Sequence, residues 1–566
     1  MYAPWLPSRP TSLIDVLRGY ENPEAPKAGF DFLDAPGRQP ATRSYADMAR
    51  RSKAVGAGLQ RMLDSGDRVL LLYPPGLGYI EAFWGCLFAG AIAVPAYPPL
   101  PNRPDQRLQA LTVDAAPQVV LVPSALMSLR PMLQAAYPAL AEIEWMASDL
   151  INDSLADAWS EPEVSGESIA FLQYTSGSTG VPRGVEVSHG NLLHNLAYIK
   201  DVFGLHGEDR GVFWLPPYHD MGLIGGILAP LYVGFSATLF SPLTFLQQPH
   251  MWLQTISELG ATVSGAPNFA YDLCARKLTP AQRDALTLSP WRVAFNGAEP
   301  IRSATLARFL DVFGPRGFRP ETFLPCYGLA EGTLLVTGSP HDERPETLTV
   351  DVEALRAHRV VPADDGERLI SSGPPIAAVQ DLRIVDPESC EPRGESELGE
   401  IWLGGDSIAR GYWNRPEDSA ATFSCHLADG TGPFLRTGDL GFLHGGQLYV
   451  TGRIKDLIIV DGRNHYPQDL EATIENTHPA IRPGRCAAFA VDGDAGEAVV
   501  AVVELQDTSA IEEAEQALRR AVQSQHDLGL SEVAWVRKGE IPKTSSGKLR
   551  RRECRNRFLA GELKRL

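Results

Sequence analysis

Residues 168–188 read SIAFLQYTSGSTGVPRGVEVS, and the reading of this stretch sets the architecture. SIAFLQYT (168–175) is an apolar run of strand length. The residues that follow, Ser176, Gly177, Ser178, Thr179 and Gly180, are small and hydroxyl-rich. They suit a sharp loop whose N–H groups and hydroxyls wrap phosphate. GVEV then reads as another strand rather than a helix, and GxxxxGK[ST] is absent, so the loop is not of the Walker type.

The same strand signal recurs on both sides. Upstream, Met48, Val55, Leu59 and Met62 recur at roughly helical intervals, RVLLLY (68–73) reads as a buried strand, GLGYIEAFWGCLFAG as a helix, and AIAVPA and QVVLVP (118–123) as further strands. Downstream come GVFWLP (211–216), SATLF, ATVSG and WRVAFNG (291–297). Helix-length gaps between β-rich runs predict α/β architecture, a layered and partly parallel sheet. Residues 343–375 turn polar, carry their own short helix signal in VDVEALRA, and read as an embellishment between core elements. DLRIVD and GEIWLGG are antiparallel in flavour. The end of the chain alternates strands (RCAAFAV, EAVVAVVEL) with the charged helix IEEAEQALRRAVQSQH. We therefore expect a large domain over residues 1–451 and a small α+β domain over 452–566.

Composition narrows the function classes. A chain of 566 residues is longer than one hydrophobic core organises. Fifty-one basic against sixty-nine acidic side chains give a net charge of −18, so the average surface repels nucleic acid and anionic membranes. Residues 537–566 are the exception, with eleven Lys/Arg against three Glu, a local +8 that reads as a solvated basic surface or as a site for phosphate or an acidic partner. Seven scattered cysteines without CxxC spacing fit a reducing compartment and argue against structural zinc. No basic leader precedes an apolar run at the N-terminus, so the cytoplasm is expected. Residues 221–249 lack charge for longer than a bilayer requires, but Pro230 and Pro242 divide them; a buried helix plus strand is expected.

Six motifs then occur in order: YTSGSTGVPRG (174–184), GAEP (297–300), CYGLAEGTLL (326–335), FLRTGDLG (434–441), GRIKD (452–456) and PKTSSGK (542–548). Together they resemble the signature series of the adenylate-forming superfamily, which holds acyl-CoA synthetases, firefly luciferase and the adenylation domains of peptide synthetases. WLPPYHDMGLIGG (214–226), the 343–370 insertion and KDLIIVDGRNHYPQDLEAT (455–473) resemble the fatty-acyl-AMP ligase branch, in which the insertion accompanies weak or absent use of coenzyme A. The resemblance implies that a medium- or long-chain fatty acid is activated by ATP, with Mg²⁺, to acyl-AMP. The acyl group would then pass to the phosphopantetheine thiol of a separate acyl carrier protein, as in a polyketide or peptide synthetase pathway. An acyl-CoA synthetase and a catalytically silent adenylate- or lipid-binding protein are the alternatives.

The resemblance also assigns residues. Lys548 neutralises the carboxylate and the developing phosphorane charge, and His219 lies beside the acyl carboxylate. Thr175, the 176–180 loop and Arg183 face phosphate; Arg183 stands where most of the family has lysine, so a fork replaces a point charge. Tyr327 and Gly328 would cover one face of the adenine, with Asn296, Gly297 and Ala298 on the other. Asp439 would hold the ribose hydroxyls with Arg453 beside it, Glu331 would meet the metal, and Lys455 is the expected hinge. Lys543 and Arg550–Arg552 are candidates for carrier docking. Gly404–Ile408 resembles a carrier attachment motif at Ser407, but strand-like GEIWLGG before it and ARGYWNR after it place it inside the adenylating domain.

Overall fold

The computed structural model describes residues 5, 10–35, 38–98, 106–175, 182–460, 463–493, 496–544 and 547–566. Two parallel-rich sheets form the body of the large part. In one, the strands run in the spatial order Glu144–Ala147, Val119–Val122, Arg68–Leu72, Ile92–Ala96, Ile169–Thr175, Arg183–Ser188, with only the last pair antiparallel. In the other, Phe323–Gly328, Val293–Asn296, Val263–Ala266, Arg210–Phe213, Ser236–Phe240 and Gly29–Leu33 lie side by side in parallel, and an antiparallel strand closes each edge. VVLV at 119–122 is buried throughout, as a strand covered on both faces must be. Helix Leu77–Ala89 is buried at every position from Tyr79 onward. A third, antiparallel sheet of Asp381–Val385, Gly399–Gly404, Leu435–His444 and Gln447–Arg453 follows.

The C-terminal part has its own cores on the two faces of one sheet, Ile481–Gly493, Gly496–Leu505 and Leu530–Val536. Side chains alternate across a strand. Val499, Ala501 and Val503 pack with Leu470, Leu518 and Val522, whereas Val500 and Val502 pack with Cys554 and Leu563. The first group belongs to helices Pro467–Thr477 and Ile511–His526, and Cys554 to helix Arg551–Leu559.

Three sequence expectations need correction or refinement. The uncharged 221–249 stretch is largely buried through strand Ser236–Phe240, while Leu243 and Leu246 beyond it are exposed; it opens as a π-helix, Met221–Leu228, before a short α-helix, Ala229–Val233. No described helix is long and apolar enough to cross a membrane. The 343–370 segment, read as an embellishment between core elements, packs into the body: it forms a hairpin of Thr347–Val350 with Glu367–Ile370, and Val350, Leu355 and Val360 share a core with Leu440, Phe442 and Tyr466. Its Arg356 reaches the small part, donating to Gln525 O at 3.2 Å and contacting His526 Nδ1 at 3.1 Å. Finally, much of the basic tail is internally paired. Arg551 makes a two-pronged contact to buried Glu471, 2.7 Å on each prong, while Arg550 and Arg557 both pair with Glu553.

Candidate active site

In open α/β sheets, ligands gather beyond the carboxyl ends of the strands, and here the ends of both parallel sheets face one cleft of about 2400 Å³. Its wall takes Ala96 and Thr175 from one sheet, Gly297, Ala298, Tyr327 and Gly328 from the other, Asp439 and Arg453 from the antiparallel sheet, and Lys548 from the C-terminal part. Residues 176–181 of the expected phosphate loop, with Ser176, Gly177, Ser178, Thr179 and Gly180, lie outside the described residues.

Asp439 sits where strand Leu435–His444 pairs with Gln447–Arg453, directly opposite Arg453. One carboxylate oxygen accepts from Arg453 Nε at 2.8 Å and the other from the Tyr327 hydroxyl at 2.7 Å. Burial, reinforced by the Asp439 charge, pushes the Tyr327 phenol far up and keeps it a donor. Three residues from three motifs thus form one fixed group, with the Asp439 carboxylate buried and the Arg453 side chain largely exposed to the cleft.

Glu331 occupies a short turn after the Tyr327–Gly328 strand end. Its carboxylate lines the cleft and accepts from the Tyr412 hydroxyl at 2.8 Å. Burial raises its pKa, against the Tyr412 hydrogen bond. Arg183 also lines the cleft, but its guanidinium lies over the Tyr412 ring, 5.2 Å from the centroid, and pairs with Asp418 at 3.3 Å. Glu331, Tyr412 and Arg183 therefore form a second fixed group, in which Tyr412 had no sequence motif to flag it. Asn296 departs from expectation: it is fully buried, both amide atoms lack a hydrogen-bond partner, and it is not among the cleft-lining residues. The flat surface there comes from Gly297 and Ala298 instead.

His219 precedes the π-helix, whose first N–H is capped by Asp220 at 2.6 Å. Asp220 also pairs with His219 Nδ1, which turns Nε2 toward the cleft. Lys548 Nζ lies 3.5 Å from that Nε2, although 329 residues separate the two in the chain. Burial lowers the Lys548 pKa, and the Asp220 and Glu299 carboxylates oppose that shift. The lysine's loop is closed by Thr544 N–H to Lys548 O at 2.7 Å and Lys548 N–H to Thr544 Oγ1 at 2.9 Å. Gly547 turns the loop with φ +87°, and a Cβ there would stand 2.7 Å from the Phe269 ring of the large part; only glycine lets the loop seat so closely. Ser545 and Ser546 lie outside the described residues.

Other expected residues are placed differently. Lys543 is half-buried, and burial first, then the Arg485 charge, hold its ammonium down to about 8. Arg551 is the structural partner of buried Glu471, as above. Lys455 lies on the cleft wall in the short turn Ile454–Asp456. Ser407 is buried, contacted by His194 Nδ1 at 2.9 Å and by Asn195 Nδ2 at 3.0 Å, so it cannot serve as a carrier attachment serine. No group of three or more potential metal-ligating His, Cys, Asp or Glu side chains exists among the described residues. Glu331 is then a single hard carboxylate, which suits Mg²⁺, an ion that takes one or two carboxylates and completes its shell with phosphates and water.

Comparison with known proteins agrees with this geometry. The family described as "AMP-binding enzyme" matches residues 22–413, and "Disco-interacting protein 2-like, AMP domain" matches residues 455–566. A medium-chain-fatty-acid–[acyl-carrier-protein] ligase of Moorena producens is 42% identical over 98% of this chain and 96% of its own length. A long-chain-fatty-acid–AMP ligase of Mycolicibacterium smegmatis is 36% identical over 98% and 95%. The crystal structure of a fatty acyl-adenylate ligase from Legionella pneumophila, in complex with acyl adenylate and pyrophosphate, aligns with TM-score 0.77 at 41% identity, covering 97% of this chain and 96% of that one. The chain belongs to the AMP-binding, adenylate-forming enzymes and, among them, to the fatty-acyl-AMP ligases.

Proposed function

We propose that the protein activates a medium- or long-chain fatty acid with ATP to acyl-AMP and pyrophosphate, then transfers the acyl group to the phosphopantetheine thiol of a separate acyl carrier protein. The observation that carries this reading is the approach of Lys548 Nζ to His219 Nε2 at 3.5 Å, in a cleft that apolar side chains such as Phe203, Met221 and Leu334 also line. In the first step a fatty-acid carboxylate oxygen attacks the α-phosphorus of ATP. That O–P bond forms as the bond to the bridging oxygen breaks, and pyrophosphate leaves. The Lys548 ammonium neutralises both the attacking carboxylate and the charge that builds at phosphorus. His219, oriented by Asp220, faces the carboxylate; Asp439, held by Tyr327 and Arg453, takes the ribose hydroxyls; Gly297, Ala298 and Tyr327 flank the adenine.

Thr175 and Arg183, with residues 176–180, would face the phosphates. Glu331 is the residue that would hold Mg²⁺, which supplies charge neutralisation on the triphosphate when bound. In the second step the carrier's thiol sulfur attacks the acyl carbonyl carbon, AMP departs with the electrons of the C–O bond, and the thiol proton passes to solvent. A hinge at Lys455, a few residues past the expected 451/452 division, lets the residues beyond it withdraw Lys548 for this step while Arg453 stays in the strand opposite Asp439. A carrier of a polyketide or peptide synthetase type, and a cytoplasmic setting, are the contexts that fit; seven free thiols favour a reducing one.

The test is fatty-acid-dependent ATP–pyrophosphate exchange, followed by mass spectrometry of holo-carrier protein and of coenzyme A after incubation with acid and ATP. Acid-dependent exchange with acylation of the carrier is expected. Absence of exchange with every acid would sink the reading, and acylation of coenzyme A in preference to carrier would reassign the acceptor.

A further inference from the structure

Among the residues that line the cleft with His219 is an apolar group, here called the apolar lobe: Ile199, Phe203, Met221, Gly225, Phe295 and Leu334, with Leu334 3.7 Å from where a Gly225 Cβ would stand and Phe203 stacked on Phe295. Resting on the fatty-acid reading above, we propose that the Phe203 ring is the end stop of this lobe and sets the longest acyl chain the enzyme accepts.

Both the backbone and the ring of Phe203 are fixed. Phe203 caps helix His189–Val202, its N–H bonded to Ile199 O at 3.0 Å. Its carbonyl accepts from Arg292 Nη1 at 3.4 Å, and the next carbonyl, Gly204 O, from Arg292 Nη2 at 2.9 Å. Arg292 is in turn held by the buried Asp209 carboxylate at 3.0 Å. Gly204 has φ +56°, and the His341 ring stands 2.6 Å from where its Cβ would be, so His341 packs directly on the backbone next to Phe203. The ring itself, only 7% exposed, stacks on Phe295 at 5.7 Å and 25°, and Phe295 stacks on Phe213 at 6.2 Å and 28°. Behind it the next strand closes the space: a Cβ on Gly338 would come within 3.6 Å of the Phe203 ring and 2.9 Å of Val202 Cγ1. Swinging the ring away would break the three-ring stack and collide with that strand. Packed interiors do not yield by that much.

At the opposite end, Lys548 and His219 fix where the carboxylate must sit for reaction. With both ends fixed, the lobe measures the chain. A methylene that fits gains about fourfold in kcat/KM, from about 0.8 kcal/mol per buried CH₂; the first one that meets the ring loses that gain and pays for a clash.

The experiment offers the full-length enzyme an equimolar ladder of straight-chain saturated acids, from butanoate to octadecanoate, and reads the acyl adenylates by mass spectrometry. Phe203→Ala should move the preferred length upward by about three carbons, with kcat/KM for acids beyond the native limit rising about tenfold or more. Phe203→Leu should move it less in the same direction, which keeps the test alive if the alanine variant does not fold. Phe203→Trp should shorten it. Adenylation by the native enzyme with an unmoved length profile in the folded variants would overturn the end stop alone. Absence of any acyl adenylate from the native enzyme would overturn the fatty-acid reading and the end stop with it.

Discussion

Replacing Lys548 by alanine removes the ammonium that stands 3.5 Å from His219 Nε2. The loop that carries it is closed by its own backbone and by Thr544, so the native side chain arrives preorganised. A preorganised charge contact that acts on developing charge is worth about 3–4 kcal/mol, which predicts a loss of about 10²–10³-fold in the adenylation step. Transfer begins from a carbonyl–phosphate bond already made, so the variant should still acylate holo-carrier protein from supplied acyl-AMP within a few-fold of native. Lysine must be an ammonium for this role. Because burial lowers its pKa, native adenylation should fall on the alkaline side earlier than an ordinary lysine would dictate, and Lys548→Ala should lack that limb. Asp439→Ala is the control and should weaken both steps, since the ribose is held throughout. Quench-flow of each half-reaction across pH, with folding checked by circular dichroism, decides the matter. Intact adenylation in Lys548→Ala, or equal damage to both steps, would refute the step-specific role and the domain withdrawal built on it.

Gly547→Ala forces a side chain into φ +87° and onto the Phe269 ring at 2.7 Å; a penalty of about 1–2 kcal/mol should lower adenylation about tenfold while sparing transfer, read in the same assay. Arg551→Ala leaves the Glu471 carboxylate, 3% exposed, without its two-pronged partner. The small domain should lose about 3–5 kcal/mol, and the double change Arg551→Met with Glu471→Leu should recover most of it, as measured by denaturant unfolding. His526 is held down to about 4 by burial, then by Arg356 and His465; Arg356, His465, Arg463, Glu353, Asp527 and Thr473 surround this junction. Between about 6.5 and 4 the unfolded chain binds a proton that the folded chain refuses, so the junction should weaken as pH falls through that window, visible as faster hydrogen exchange in Ile511–His526. Arg356→Ala, which cuts the insertion's tie to Gln525 and His526, should keep adenylation within a few-fold and raise thioester formation with coenzyme A; an unchanged ratio of coenzyme A to carrier product counts against the tie.

Local pattern alone carried the strands and much of the chemistry. VVLV at 119–122 is a strand buried on both faces because nothing in it wants water, and the ordered motifs announce a nucleotide, a ribose carboxylate and a mobile lysine. These features are legible because their residues are neighbours in the chain. What the sequence could not show is what pairs across it. Arg551 reads as part of a basic docking tail, yet buried Glu471 takes it as a two-pronged partner, since charge left unpaired in a core is costly. The 343–370 segment reads as a polar embellishment because polarity is read residue by residue, while Val350, Leu355 and Val360 are spaced so that the fold turns them inward. Asn296 sits in the right motif and faces the interior, because a one-residue step along a strand reverses the side-chain direction. Tyr412 and Phe203 lie in no motif; one becomes a partner of Glu331 and the other a wall of the apolar lobe only when sheets and helices far apart in sequence converge. The sequence determined which chemistry the chain carries, through local periodicity and residue type, and tertiary packing decided which side chains face the cleft, because burial and charge pairing are properties of the folded neighbourhood.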